Sequence, residues 1–187
     1  MGSDTDAHIV WMDTELTGLD IENHTILEIA CIITDCNLNI ISEEFEIVIN
    51  HPDVVLENMN EWSKIHHAQS GLTHDCKCSN ITLKEAEQML LNFLKKYIPK
   101  GICPLAGNTI YMDRLFLIKH MPLVHDYLHY RIIDVSSLKE LVRRWNSLVY
   151  ENAPKKQLNH RSLSDVKESI QELKYYKEHF FKSSNQC

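Results

Sequence analysis

Asp13 and Glu15 stand two residues apart at the end of a short apolar run, Ile9-Val10-Trp11-Met12, and Thr17-Gly18 breaks the pattern just beyond them. Apolar residues bounded by turn formers predict a buried strand. Alternate side chains of a strand share a face, so both carboxylates point the same way. At an effective dielectric of about 20, two unit charges ~4 Å apart cost roughly 4 kcal/mol. A shared proton, a basic residue or a metal ion must relieve that cost. Taken alone, D-x-E also describes two acids facing water. Two further carboxylates stand out by position: Asp113 at the start of a helix that follows a short strand, and Asp165 early in the last helix, five residues after His160. Strand ends and helix starts at one edge of an α/β sheet are where ligands usually bind. Each also has a plainer use, since acids in a first helical turn contribute a few tenths to ~1 kcal/mol, and His160 suits an ordinary loop.

Taken together, the four acids suggest more. Their formal −4 is balanced by two Mg²⁺ ions, which prefer hard oxygen ligands. Two such ions bridge a phosphate, one activating water and the other stabilising the leaving oxygen. Histidine, with an ordinary pKa of about 6.5, suits removal of a proton from the attacking water. Five residues of helix rotate a side chain by roughly 500°, about 140° net. His160 therefore belongs on the loop before the last helix, swinging in beside Asp165.

The elements that must position these groups are readable from periodicity. After the opening strand, 25–35 (TILEIACIITD) fits a second buried strand, and 40–49 alternates apolar and acidic residues as a half-exposed third. Such short connections predict an antiparallel meander. His51-Pro52 ends it. Residues 58–67 read as a helix, followed by a turn at Ser70-Gly71. Thr82 and Glu85 form a capping box for a helix with Leu83, Ala86, Leu90 and Tyr97 on one stripe, stopped by Pro99 and Gly101. Residues 103–108 read as a fourth strand, 112–120 as a helix, and 131–135 as a fifth strand. Ser137 with Glu140 is expected to cap the next helix. A polar loop at 152–159 precedes a last helix over 161–180, with Leu163, Val166, Ile170, Leu173 and Tyr176 inward. Strands first, then strands alternating with helices, predict a mixed sheet covered by helices.

Composition bounds the function. With 187 residues the chain reads as a single domain, 1–187, long enough for a sizeable core. No apolar run approaches the ~20 residues of a membrane helix. The opening MGSDTDAHIV has neither a basic-plus-apolar signal nor an Arg-rich transit peptide, and 1–7 reads as an unstructured or vector-derived tail. An intracellular protein is expected, cytoplasmic or mitochondrial. Cys31 and Cys103 lie in apolar runs, where buried reduced thiols are expected. His74-Asp75-Cys76-Lys77-Cys78 lacks the two-residue spacer of common zinc sites and reads as a surface loop. A net charge of −7 argues against a broad basic face for long nucleic acid. A very short anionic substrate held by bound cations remains compatible.

The order D-x-E, a distant Asp, then H-x-x-x-x-D resembles the histidine subclass of the DEDD exonuclease superfamily. WMDTELTGLD, EWSKIHHAQSGL, PLAGNT, LHYRIIDVSSLKELVRRW, APKK and HRSLSDVKESIQELKYY, in this order, extend the resemblance to the oligoribonuclease family over nearly the whole chain. The resemblance implies a ribonuclease H-like α/β fold, a mixed five-stranded sheet flanked by helices. It implies a homodimer that hydrolyses very short RNAs 3′→5′, especially 5′-phosphorylated dinucleotides, to nucleoside 5′-monophosphates with two Mg²⁺ or Mn²⁺ ions. Carried over by position, Asp13, Glu15, Asp113 and Asp165 hold the metals and His160 is the general base. Leu19 and Trp62 wedge and stack the bases, and His67 lines the pocket near the 3′ end. Thr109, Arg131 and Ser136 cap the 5′ phosphate, and Tyr130 reaches across the dimer. The chain departs from the family at Thr109, where serine is usual, at Ile110-Tyr111-Met112, where the family is more polar, and at Ser164, where an additional aspartate is common. Two other readings share parts of the pattern: a histidine-subclass exonuclease trimming longer RNA or DNA ends, and a non-catalytic module that binds short RNA.

Overall fold

The strand carrying Asp13 and Glu15 lies in the middle of a five-stranded sheet. The computed structural model describes residues 8–155 and 160–181. In chain order the elements are β1 (Ile9–Leu16), β2 (Ile26–Thr34), β3 (Phe45–Val48), α1 (Asp53–Glu57), α2 (Glu61–Gln69), α3 (Leu72–Cys78), α4 (Leu83–Tyr97), β4 (Leu105–Gly107), α5 (Tyr111–His120), α6 (Pro122–His125), β5 (Ile132–Asp134), α7 (Val135–Trp145), α8 (Ser147–Glu151) and α9 (Ser162–His179). The proposed tail 1–7, residues 156–159 of the polar loop, and Cys187 lie outside the described residues.

The sheet order is β3-β2-β1-β4-β5. β1, β2 and β3 form the expected antiparallel meander, while β4 and β5 add parallel to β1. A parallel neighbour requires a crossover, and the helical stretch from α1 to α4 provides one. Alternation along β1 then sorts its side chains. Val10 and Met12 enter a core with α4, α5 and α6. Trp11 enters another with Val135 and Val142 of α7 and Val166, Ile170 and Tyr176 of α9. Helices thus cover both faces, which explains why β2 is buried at every position and reads as a near-continuous apolar run. The stripe expected on the last helix packs as foreseen, and the Thr82–Glu85 capping box is present on α4. Cys31 and Cys103 are buried thiols.

Several expectations need correction. The third strand is confined to Phe45–Val48, with Ile40 making only an isolated bridge to Thr34. The interruption has a local cause: the backbone N–H of Ile33 donates to the Ser42 hydroxyl at 2.9 Å, so a side chain takes the place of a ladder carbonyl. The His74–Cys78 stretch is part of helix α3 and not a loop. Gly71, at φ +81°, turns the chain, and Leu72 and Cys76, one helical turn apart, are buried. The helix expected over 58–67 begins only at Glu61, because Asn60 caps it by accepting from the Ser63 N–H. On α7 the cap is Asp134, which accepts from the N–H groups of Ser136 and Ser137. β5 passes into α7 without a loop, so Ser137 is already inside the helix, and Glu140 pairs with Arg143 and Arg144. The short helices α1, α6 and α8 have too few residues to carry a periodic signal.

Candidate active site

β1 presents Asp13 and Glu15 on the face that α9 crosses, and α9 brings Asp165 to them. One oxygen from each of the three carboxylates lies within 4.8 Å of the others. Among the described residues this is the one cluster of acids, histidines or cysteines close enough to share a cation. Burial first, and then the negative charge of Asp165, push the carboxyl of Glu15 up to about 8. Glu28 and Asp113 push it the same way. A site that makes an acid hold its proton this strongly is one that a divalent cation would stabilise, and three oxygen donors are the set such cations prefer.

Asp113 arrives by a different route. Thr14 lies on the opposite face of β1 from its neighbours Asp13 and Glu15, and β4 pairs with β1 only at Val10 and Trp11. Beyond that point the chain leaves β4 for α5. In the place of a strand partner, Asp113 Oδ1 accepts from the Thr14 N–H at 2.9 Å and from the Thr14 hydroxyl at 2.6 Å. Asp113 is therefore buried beside the cluster but is not one of its three converging acids. Burial pushes its carboxyl up to about 6, against the lowering effect of the Thr14 bonds.

The cluster forms part of the wall of a cavity of about 580 Å³, to which Leu19, Trp62, His67 and His160 also contribute. Trp62 and Leu19 are largely exposed there, at 54% and 63%. Gly18 keeps this rim tight, since a Cβ on it would come within 2.5 Å of the His24 ring. His160 lies just before α9 as expected, with φ +50°. Its ring meets Trp62 edge-on at 5.1 Å and His66 at 4.8 Å. His66, which the sequence reading passed over, stacks on Trp62 with centroids 3.9 Å apart and is fixed by a 2.8 Å contact from Nδ1 to the Trp62 carbonyl. His67 is buried, and its Nε2 donates to the Leu16 carbonyl at 2.9 Å. Burial lowers its pKa. The neutral ring then turns an unpartnered Nδ1 toward Glu15, 3.7 Å away, which is a polar contact and not an ion pair.

The other predicted residues divide. Thr109 (φ +54°) and Ser136 follow β4 and β5, and their hydroxyls lie 3.1 Å apart. Both backbone N–H groups are held by Asp134 Oδ1. Ser136 also donates to Asn108, whose amide donates to Ser169 of α9 at 2.8 Å. Because β1, β4 and β5 run parallel, these hydroxyls sit at the same sheet edge as the acids. Arg131 does not join them. It precedes β5 and enters the sheet from the other end, exposed, with its guanidinium carbon 5.4 Å from the centre of the Tyr130 ring. Tyr130 is 73% exposed. The sequence reading also missed an ion pair between the buried Glu28 and the half-buried Arg161. The available signal was a lone acid in an otherwise apolar strand.

Residues 10–173 match the RNase_T exonuclease family. Over 181 residues the chain is 57% identical to a probable oligoribonuclease of Drosophila melanogaster, covering 97% of this chain and 85% of that one. It is 52% identical to the mitochondrial oligoribonuclease of Homo sapiens, with 93% and 73% covered. With the oligoribonuclease of Haemophilus influenzae it shares 47%, with 94% and 96% covered. Among solved structures, exonuclease I of E. coli in its zinc-bound complex with single-stranded DNA superimposes with a TM-score of 0.72 at 14% identity, over 94% of this chain. Exonuclease I of Methylocaldum szegediense gives 0.69 at 17%, also over 94% of this chain. In both cases the chain spans only 41% of the exonuclease I chain. At that identity the likeness speaks for the fold, which is ribonuclease H-like.

Proposed function

The chain belongs to the oligoribonuclease family of RNase_T exonucleases, and on that premise we propose that it is a 3′→5′ exoribonuclease for very short RNAs, above all 5′-phosphorylated dinucleotides. The observation that carries the reading is the trio Asp13, Glu15 and Asp165, with oxygens inside 4.8 Å, in the wall of a cavity whose rim holds Trp62, Leu19 and His160.

Asp13, Glu15 and Asp165, with Asp113 beside them, would hold Mg²⁺ or Mn²⁺. When bound, a pair of such ions supplies an activated water and stabilises the leaving oxygen. The chain's own groups do the rest. Trp62 gives a base a π-face that does not discriminate sequence, and Leu19 wedges beside it. His67, held neutral against Leu16, lines the 3′ end of the pocket. His160, at the mouth of the cavity, takes the proton of the attacking water. The Thr109 and Ser136 hydroxyls donate to a terminal 5′ phosphate and so exclude a longer chain, a specificity by exclusion. Few phosphates need contacting, which agrees with a net charge of −7.

The placement of Arg131 and Tyr130 supports a homodimer in which both serve a partner's pocket, since both are exposed at the sheet end opposite Ser136. An Arg–phosphate contact is the strong, forked kind. The chain acts in this reading as a single exonuclease domain.

The test is turnover of a 5′-phosphorylated dinucleotide against oligomers several nucleotides longer, with Mn²⁺ and with EDTA, for the wild type and Asp13→Ala. Preferred cleavage of the dinucleotide, lost with EDTA and with Asp13→Ala, is expected. Equal cleavage of long strands would point to the broader exonuclease reading, and equal inactivity of both proteins under all metals would sink the enzyme reading.

A further inference from the structure

Glu28 is the sole charged residue in β2 and is fully buried. It lies directly opposite Glu15 in the β1–β2 register. Opposed residues of an antiparallel pair share a face, with Cβ atoms about 4.5–5.5 Å apart. A fixed carboxylate therefore stands beside the most buried acid of the cluster. Arg161 answers it with a fork: Nη2 and Nε donate to Glu28 Oε1 at 2.7 and 3.0 Å. Its Nη1 donates to Asp75 of α3 at 3.0 Å, and the Ser162 N–H donates to Glu28 Oε2 at 2.9 Å. One strand of the sheet, through Glu28, and one helix, through Asp75, thus converge on a single guanidinium.

The position of that guanidinium in the chain matters. Arg161 stands between His160 and the first residue of α9, and its carbonyl accepts from the Asp165 N–H at 3.1 Å. Where Arg161 is fixed, the first turn of α9 is fixed, and with it the direction from which Asp165 meets Asp13 and Glu15. On its other side the chain turns through the left-handed φ of His160, whose ring rests against Trp62 and His66.

We propose that Arg161 is a positioning residue for the nuclease reaction: its forked pairing to Glu28 and Asp75 sets Asp165 within coordinating reach of Asp13 and Glu15 and aims His160 into the cavity. The proposal rests on the reading of this cavity as the nuclease centre. A guanidinium is suited to the task because its planar fork fixes an orientation, whereas a lysine in the same place supplies only a point charge. That difference separates positioning from mere neutralisation of Glu28.

Arg161→Lys keeps the charge and loses the fork. The expected result is a fall in dinucleotide kcat of about tenfold or more with KM nearly unchanged, in line with the steep cost of small misplacements of reacting groups. Mn²⁺ affinity, measured by calorimetry without substrate at a temperature where circular dichroism shows the variant fully folded, is expected to weaken several-fold, so that a smaller folded fraction is not the cause. Arg161→Gln is expected to lose more, but it strands a buried carboxylate and risks unfolding. The double variant Arg161→Gln/Glu28→Gln removes that risk and is expected to remain as poor in kcat and Mn²⁺ affinity. Wild-type kcat and Mn²⁺ affinity in Arg161→Lys would overturn the proposal. If the wild type itself does not cleave dinucleotides while Mn²⁺ affinity still drops in Arg161→Lys, the nuclease reading fails and the geometric role stands.

Discussion

Thr14 directs two donors at one oxygen of Asp113, its N–H at 2.9 Å and its hydroxyl at 2.6 Å. Asp113 thereby takes the place on β1 that a longer β4 would have occupied, and carries a carboxylate from the far side of the sheet to the edge of the acidic cluster. Because both bonds fall on Oδ1, Thr14 does not occupy Oδ2.

Thr14→Val tests this arrangement with little change in shape. The N–H bond survives and the hydroxyl bond is lost, which for an ionised acceptor costs about 1.5–3 kcal/mol. Urea unfolding is expected to show that loss, and dinucleotide turnover is expected to fall through kcat with little change in KM. A variant as stable as the wild type would remove the hydroxyl from the account.

The cluster also makes stability depend on pH, with a definite sign. Burial and neighbouring acids raise Glu15 from 4.5 to about 8, and burial raises Asp113 from 3.8 to about 6. Below the lower values both carboxyls are protonated, folded or unfolded, and cost nothing. As pH rises, the unfolded chain releases these protons before the native state does, so stability is lost between about pH 4.5 and 8 for Glu15 and between about 3.8 and 6 for Asp113. Metal-stripped protein is expected to melt at progressively lower temperature across that range. Saturating Mn²⁺ is expected to abolish the alkaline loss and to release protons on binding, seen as buffer-dependent heats in calorimetry. A flat melting profile without metal would contradict the raised values.

Trp62 exposes about half its surface and is backed by His66 on one ring face. A base stacked on the other face contributes about 1–3 kcal/mol, so Trp62→Ala is expected to raise dinucleotide KM by roughly five- to a hundredfold. Trp62→Phe is expected to keep most of the affinity. Melting temperature should move little for either. An unchanged KM in Trp62→Ala would place the base elsewhere.

Legibility followed the kind of pattern involved. β2 and α4 announce themselves because an apolar run and a capping box are local signals. Period placed Asp13 and Glu15 on one face of β1 and Asp165 early in α9, but their meeting was an expectation from charge balance and the family resemblance, since no local pattern says that α9 crosses β1. Asp113 was legible as a position but not as a geometry, because its approach depends on where β4 stops pairing. Arg131 and Ser136 are close in sequence, yet β5 runs between them and carries them to opposite ends of the sheet. Glu28 and Arg161 are 133 residues apart, and no local pattern links them. Ser42 broke the third strand through a single hydroxyl bond, which alternation of apolar residues does not register.

If Tyr130 serves a partner's pocket, two crippled chains can repair one another. Mixing Tyr130→Ala with Asp13→Ala after joint unfolding and refolding is expected to restore about one site in four, because roughly half of the dimers are mixed and each has one intact pocket. Activity no greater than the sum of the separate variants would assign Tyr130 to its own chain.

β1 is bracketed by β2 along its length and by β4 and then Asp113 on its other side, while His160 is held by ring contacts at the lip of the cavity. Amide deuteration of the strand is therefore expected to wait for the molecule to open as a whole. On warming, the lip and the start of α9, which carries Asp165, are expected to loosen together, while Asp13 and Glu15 stay seated in β1.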